Sequence, residues 1–151
     1  MIKVLRATVE DIDRVIPLAK MMHEESVYRD LPFEPEFVRR FAAHAVVDQT
    51  YCPLVAVDGS AIIGFFCGQI SQTFFGPGLI ASDHVFYVEP THRGTSAAPR
   101  LLAEFEKWAF GLGAREIFLG ITTGVHEDRT SEFYARSGYK LAGRVAKKEA
   151  K

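Results

Sequence analysis

One mixed α/β domain spanning residues 1–151 is predicted by three observations on the sequence. Apolar residues change period from segment to segment, between the 3.6-residue repeat of a helix and strand-like runs. Three strand-like runs follow one another in the middle of the chain. Helix and strand patterns then alternate, which implies one mixed sheet with helices on its faces. A chain of 151 residues suits one core, since domains run to roughly 100–200 residues. The 48% hydrophobic and 25% charged composition is that of a globular protein, and excludes a disordered or collagen-like chain.

Residues 3–5 form a short strand, closed by Thr8 and Asp11 in the spacing of a helix-capping box. Ile12, Val15, Ile16, Ala19, Met22 and Ser26 keep the helical period, so a helix covers residues 9–26, with a kink expected at Pro17. Residues 30–33 are a loop, and Pro35 opens a second helix whose apolar stripe is Phe37, Val38, Phe41, Ala42 and Ala45. Asp58-Gly59 between the apolar runs 53–57 and 61–70 reads as a hairpin. A Phe-Gly-Pro-Gly turn at 75–78 precedes a long strand over 79–88. Ala98, Leu101, Leu102, Phe105, Trp108, Ala109 and Leu112 mark a third helix, ended by Gly111 and Gly113. Residues 116–122 are a buried strand, 130–136 a short helix stopped at Gly138, and 139–145 a last strand. The predicted order is β-α-α-β-β-β-α-β-α-β.

Charge and composition narrow the function. A net charge of −1 offers no basic face for non-specific nucleic-acid binding. No apolar run reaches the roughly 18 residues of a membrane span, and the first six residues lack a signal-peptide core. A cytoplasmic protein is the expectation. Cys52 and Cys67 lie in apolar stretches without metal-ligand spacing, so each reads as a small buried hydrophobe and no metal site is expected.

The most informative stretch is residues 85–98, Val-Phe-Tyr-Val-Glu-Pro-Thr-His-Arg-Gly-Thr-Ser-Ala-Ala. Strand, short loop of small polar residues, then helix N-terminus is the arrangement of an anion cradle. The first helical N–H groups lack internal partners and small side chains let a phosphate approach them. An ordinary strand-to-helix turn has the same spacing. A dinucleotide fingerprint and a P-loop do not fit, because neither Gly-x-Gly-x-x-Gly nor Gly-Lys-Ser/Thr occurs.

This segment resembles the acetyl-CoA-binding motif of the GCN5-related N-acetyltransferases (GNAT), Gln/Arg-x-x-Gly-x-Gly/Ala. Arg93 stands at its first position and Ala98 at its last, with Ser96 where the family usually has glycine. Val88, Pro90, Arg93 and Gly94 match the family's Val-x-Pro-x-x-Arg-Gly at the end of the fourth strand. Residues 133–139, Phe-Tyr-Ala-Arg-Ser-Gly-Tyr, are similar to its Phe-Tyr-x-x-x-Gly-Phe signature. The element order is the family's too, so the resemblance spans nearly the whole chain. It implies a mostly antiparallel mixed sheet with helices on both faces, and leaves a seventh strand open. It also implies acetyl-CoA as co-substrate. Its diphosphate would lie on the backbone of Arg93, Gly94, Thr95, Ser96, Ala97 and Ala98, and its pantetheine along Phe86 and Val88.

Acetyl transfer to an amine needs a base, an oxyanion donor and a proton for the departing thiolate. The resemblance places Tyr134 as proton donor. Asp83 and His84 are the candidate bases on the strand that passes the thioester. Alternation gives His84 the parity of Phe86 and Val88 unless a bulge resets it; a water chain or Glu25 could serve instead. Acidic and aromatic residues of the segment 23–33, among them Glu25, Tyr28 and Phe33, would frame a cationic acceptor. Phe74 and Phe75, next to Gly76-Pro77-Gly78, would line the acceptor pocket or meet a second subunit.

The sequence thus predicts an acetyl-CoA-dependent transferase acting on a primary amine of a small molecule or peptide by direct attack in a ternary complex. Neither cysteine stands in a nucleophile context that would favour an acetyl-enzyme. Many family members dimerise, which makes a homodimer an expectation. The rival reading is a non-catalytic acyl-CoA-binding module; a nucleic-acid-binding domain is disfavoured by the charge.

Overall fold

The computed structural model describes all residues, 1–151. Its elements are β1 (Ile2–Arg6), α1 (Ile12–Glu25), α2 (Pro35–Val47), β2 (Tyr51–Asp58), β3 (Ala61–Thr73), β4 (Gly76–Val88), α3 (Ala97–Gly111), β5 (Glu116–Phe118) and α4 (Glu127–Arg136). Short 3-10 turns, Val9–Asp11 and Pro90–His92, precede α1 and follow β4. The five strands lie side by side in chain order. β1 to β4 are antiparallel neighbours, and β5 joins β4 in parallel. That one parallel pair needs a crossover, and α3 supplies it.

Local chemistry sets the ends of these elements. The Thr8 N–H and hydroxyl both donate to Asp11 Oδ2, at 3.0 and 3.2 Å, fixing the entry to α1. α1 then runs through Pro17 without interruption. Pro35 occupies the first turn of α2, where its missing N–H costs nothing. Asp58 pairs with Ala61 across the tight turn between β2 and β3.

β3 is buried on both faces, which is why it reads as an almost continuous apolar run. On one side Leu54, Ala56, Ile63, Phe66 and Ala81 pack against Leu101, Phe105 and Ala109 of α3. On the other, Val55, Ile62, Phe65 and Tyr87 pack against Leu18 of α1. Phe105 lies directly on Gly68, where an added Cβ would stand 2.2 Å from the ring. Truncating that phenylalanine would cost about 3–5 kcal/mol.

Three elements depart from the prediction. β5 pairs only over three residues rather than 116–122. The expected last strand, 139–145, does not form. Its apolar alternation is interrupted by Gly143, and Leu141 and Val145 remain 82% and 80% exposed, so no buried face rewards a ladder. α4 also starts earlier than residue 130, at Glu127.

Candidate active site

The cleft begins where β4 and β5 part. Ile80, Ala81 and Ser82 pair with Glu116, Ile117 and Phe118, and the ladder stops there. At the next residue the Asp83 carboxylate takes the place of a strand partner: its Oδ1 accepts the Gly120 N–H at 2.9 Å. Beyond this point β4 pairs with β3 alone, so its other edge carries unpaired peptide groups as far as Val88.

A bulge in β4 settles which side chains face this opening. Cys67 pairs with Val85 and Gly68 with Asp83, so His84 has no opposite residue in the β3–β4 register. The parity that would join His84 to Phe86 and Val88 is therefore reset. Phe86 and Val88 pack into the α3-side core. His84 lies instead toward α2: its Nε2 stands 2.9 Å from Gln69 Oε1, and its ring stacks on Tyr51 at 5.5 Å with Phe41 edge-on at 5.5 Å.

Asp83, by contrast, lies with Tyr134. The Tyr134 hydroxyl donates a long hydrogen bond, 3.5 Å, to the Gly120 carbonyl. Tyr134 is buried between Phe133 and Tyr139, at ring separations of 5.7 and 5.8 Å, and Phe133 reaches Phe86 at 6.2 Å. Burial, and secondly the Asp83 charge, push the Tyr134 phenol far above its ordinary value, so it stays protonated at neutral pH. Burial also raises the Asp83 carboxyl, against the lowering effect of its bond from Gly120.

At the far end of β4 the chain turns into the predicted cradle. Gly94 takes φ +83°, a left-handed conformation that only glycine adopts cheaply. The Thr95 hydroxyl donates to the His92 carbonyl at 2.6 Å and accepts the Ala97 N–H at 3.3 Å. The amides of Gly94, Ser96 and Ala98 have no partner within the chain. Ser96, standing where the motif usually has glycine, has φ −75° and ψ 1°, which any L-residue adopts without strain. Pro99 in the first turn of α3 withholds one further donor.

Arg93 does not point its charge into the open. Its guanidinium pairs with the Glu25 carboxylate, its Nε donates to the Val88 carbonyl at 3.0 Å, and it lies 5.4 Å over the Tyr87 ring. Glu25, expected among acceptor-binding residues, is thereby engaged on the cradle side. Tyr28 is exposed, and Phe33 packs on His23 at 5.4 Å, with His23 Nε2 2.8 Å from the Leu31 carbonyl. Phe74 is 96% exposed at the tip of the β3–β4 hairpin, eight residues of strand away from the bulge, and the structure does not bring it to the cleft.

Sequence reasoning missed one contact altogether. The Val27 N–H donates to the Thr123 carbonyl at 2.8 Å, which joins the segment after α1 to the loop before α4. Gly124 permits it, since a Cβ there would stand 2.4 Å from Val27 Cγ1 and its φ of +73° disfavours any side chain. No three histidine, cysteine or acidic side chains group to hold a metal ion, and no helix is long and apolar enough to cross a membrane. Cys52 and Cys67 are buried free thiols, pushed by burial up to about 11 and about 12.

The profile of the acetyltransferase (GNAT) family matches residues 18–139. The chain belongs to that family. The GNAT match takes in the β4 bulge, the cradle and α4, leaving out β1 and the residues after Tyr139. Solved structures share the fold at low identity. A transcriptional regulator from Bacillus halodurans C-125 is 19% identical, with a TM-score of 0.81 over 99% of this chain and 100% of its own. AAC(6')-Iy, in complex with the bisubstrate analog CoA-S-monomethyl-acetylneamine, is 14% identical, with a TM-score of 0.81 over 100% and 99%. Glucosamine-6-phosphate N-acetyltransferase from Arabidopsis thaliana is 14% identical, with a TM-score of 0.76 over 99% and 98%. A search of curated proteins found no match.

Proposed function

We propose that this GNAT chain is an acetyl-CoA-dependent N-acetyltransferase that acetylates a primary amine by direct attack in a ternary complex. The observation that carries this reading is the parting of β4 and β5 at Asp83, which leaves one open strand edge leading from Tyr134 to the cradle. An extended pantetheine arm can add to such an edge as a strand would. The free amides of Gly94, Ser96 and Ala98, with small side chains around them, fit a diphosphate at the positive end of α3.

Acetyl-CoA supplies the activated acyl group as a thioester. Bond formation from the amine nitrogen to the acyl carbon, with loss of the carbon–sulfur bond, requires the amine to shed a proton and the thiolate to gain one. Asp83 is the proton acceptor we favour over His84: it stands with Tyr134 at Gly120, and its raised pKa improves a carboxylate as a base. Tyr134, held protonated, is the donor to the thiolate. The buried, protonated cysteines favour direct transfer over an acetyl-enzyme.

The acceptor is an amine of a small molecule or a peptide. One protein that shares the fold is a glucosamine-6-phosphate N-acetyltransferase and another holds a CoA–acetylneamine bisubstrate analog, which supports an amino-sugar amine as the first to try. Titration calorimetry of acetyl-CoA into wild type and Ser96→Asp tests the cradle, and thiol release across an amine panel tests the transfer. Micromolar binding lost in Ser96→Asp, with thiol release on some amine, is the expected result. Binding without turnover on any amine would favour the acyl-CoA-binding module, and no binding would remove the site.

A further inference from the structure

We infer that Glu25 is a positioning residue for the acetyl-CoA cradle: through Arg93 it pins the cradle to the end of α1, so that Arg93 serves as a strut and not as a phosphate ligand. The inference rests on the reading of the loop after β4 as the acetyl-CoA site.

Three contacts hold the Arg93 guanidinium: the Glu25 carboxylate, the Val88 carbonyl and the face of Tyr87. Both charged side chains are largely withdrawn from water, at 23% and 29% exposure. Swinging the guanidinium out to a phosphate would take from the half-buried Glu25 carboxylate its cationic partner and from the Val88 carbonyl its donor. The pin acts at both ends of the loop. It fixes the last carbonyl of β4 and the residue before Gly94, so it sets where the free amides of Gly94, Ser96 and Ala98 lie.

Glu25 is also the last residue of α1, and two residues on Val27 is bonded to Thr123 in the loop that leads to α4. Ser26 between them is 2% exposed; its hydroxyl donates to the His23 carbonyl and accepts the Tyr28 N–H, so the link is stiff. The segment that frames the acceptor therefore touches the cradle on one side and the loop before α4 on the other.

The sign of one substitution separates strut from ligand. Glu25→Gln removes a negative charge and releases Arg93. A phosphate-binding Arg93 would then hold acetyl-CoA as well or better; a strut would leave the cradle misplaced. The expected result by calorimetry is binding about tenfold weaker in Glu25→Gln, within the range of ordinary coupling. A similar loss in Arg93→Met, and no further loss in the double variant, would show that the two act as one unit. With an accepted amine, the KM for acetyl-CoA should rise about tenfold while kcat at saturation stays within about twofold.

Equal or tighter binding in Glu25→Gln, beside weakened binding in Arg93→Met, would overturn the inference and leave the site standing. No binding by the wild type would overturn both. Should Glu25→Gln lose its cooperative melt, the exchange variant Glu25→Arg with Arg93→Glu decides: recovered acetyl-CoA binding supports the strut, and its failure in a folded exchange variant overturns it.

Discussion

Asp83 and Tyr134 meet at one glycine: Asp83 Oδ1 accepts the Gly120 N–H at 2.9 Å, and the Tyr134 hydroxyl donates to the Gly120 carbonyl at 3.5 Å. Gly120, two residues past the last pair of the β4–β5 ladder, is thus held by a carboxylate and a phenol at once. In the proposed reaction these are the proton acceptor and donor, placed together where the strands part.

Tyr134→Phe isolates the donor. The hydroxyl makes only one long hydrogen bond, so the fold should lose little. Thiol-release kinetics should show kcat lower by about 10²-fold or more, the usual worth of a positioned acid. The acetyl-CoA KM should stay within about twofold.

Asp83 carries a pH signature. Its folded pKa lies above its unfolded value because burial disfavours the charge. The folded state therefore holds this proton more tightly, and stability from this group falls as pH rises through the interval between the two values. Below that interval both states are protonated and the penalty vanishes. Asp83→Asn keeps an oxygen for Gly120 and removes the charge. Thermal melts should show a higher midpoint than wild type at pH 7 and a smaller difference in acid, while turnover collapses.

Tyr87 is 5% exposed, and its hydroxyl is buried without a hydrogen-bond partner. An unsatisfied buried hydroxyl costs about 1–3 kcal/mol. Tyr87→Phe should raise stability by about 1 kcal/mol, or about 2–4 °C in midpoint, with the ring still beneath Arg93. A loss of stability in denaturant titration would show that the hydroxyl has a partner in solution.

Gly124→Ala should force the Val27–Thr123 contact apart. The added methyl meets Val27 and the residue keeps an unfavourable φ of +73°, together costing about 1–3 kcal/mol. The expected outcome is a raised KM for the amine, with faster hydrogen exchange at the Val27 amide.

Most of the scaffold is readable from local signals. Thr8 with Asp11, Pro35, Asp58-Gly59 and Gly138 each act within a few residues, and the apolar stripe of α3 is the face that meets the sheet. What escapes is whatever depends on two distant segments. The unpaired His84 is decided by the β3–β4 register, and no local pattern marks it. The Glu25–Arg93 pair joins residues 68 apart in sequence, so Glu25 reads as an open acceptor-side acid until the fold brings Arg93 to it. Residues 139–145 begin to alternate like a strand, but Gly143 breaks the pattern and Leu141 and Val145 find no face to bury.

The two cysteines offer a practical consequence. With Sγ atoms buried and held protonated, native protein should be almost silent toward thiol-reactive chromogenic disulfides. Free CoA released during turnover can then be titrated continuously in the same cuvette without subtracting a protein background. The same reagent in denaturant should count two equivalents per chain, turning the silent pair into an internal gauge of how much of a preparation is folded.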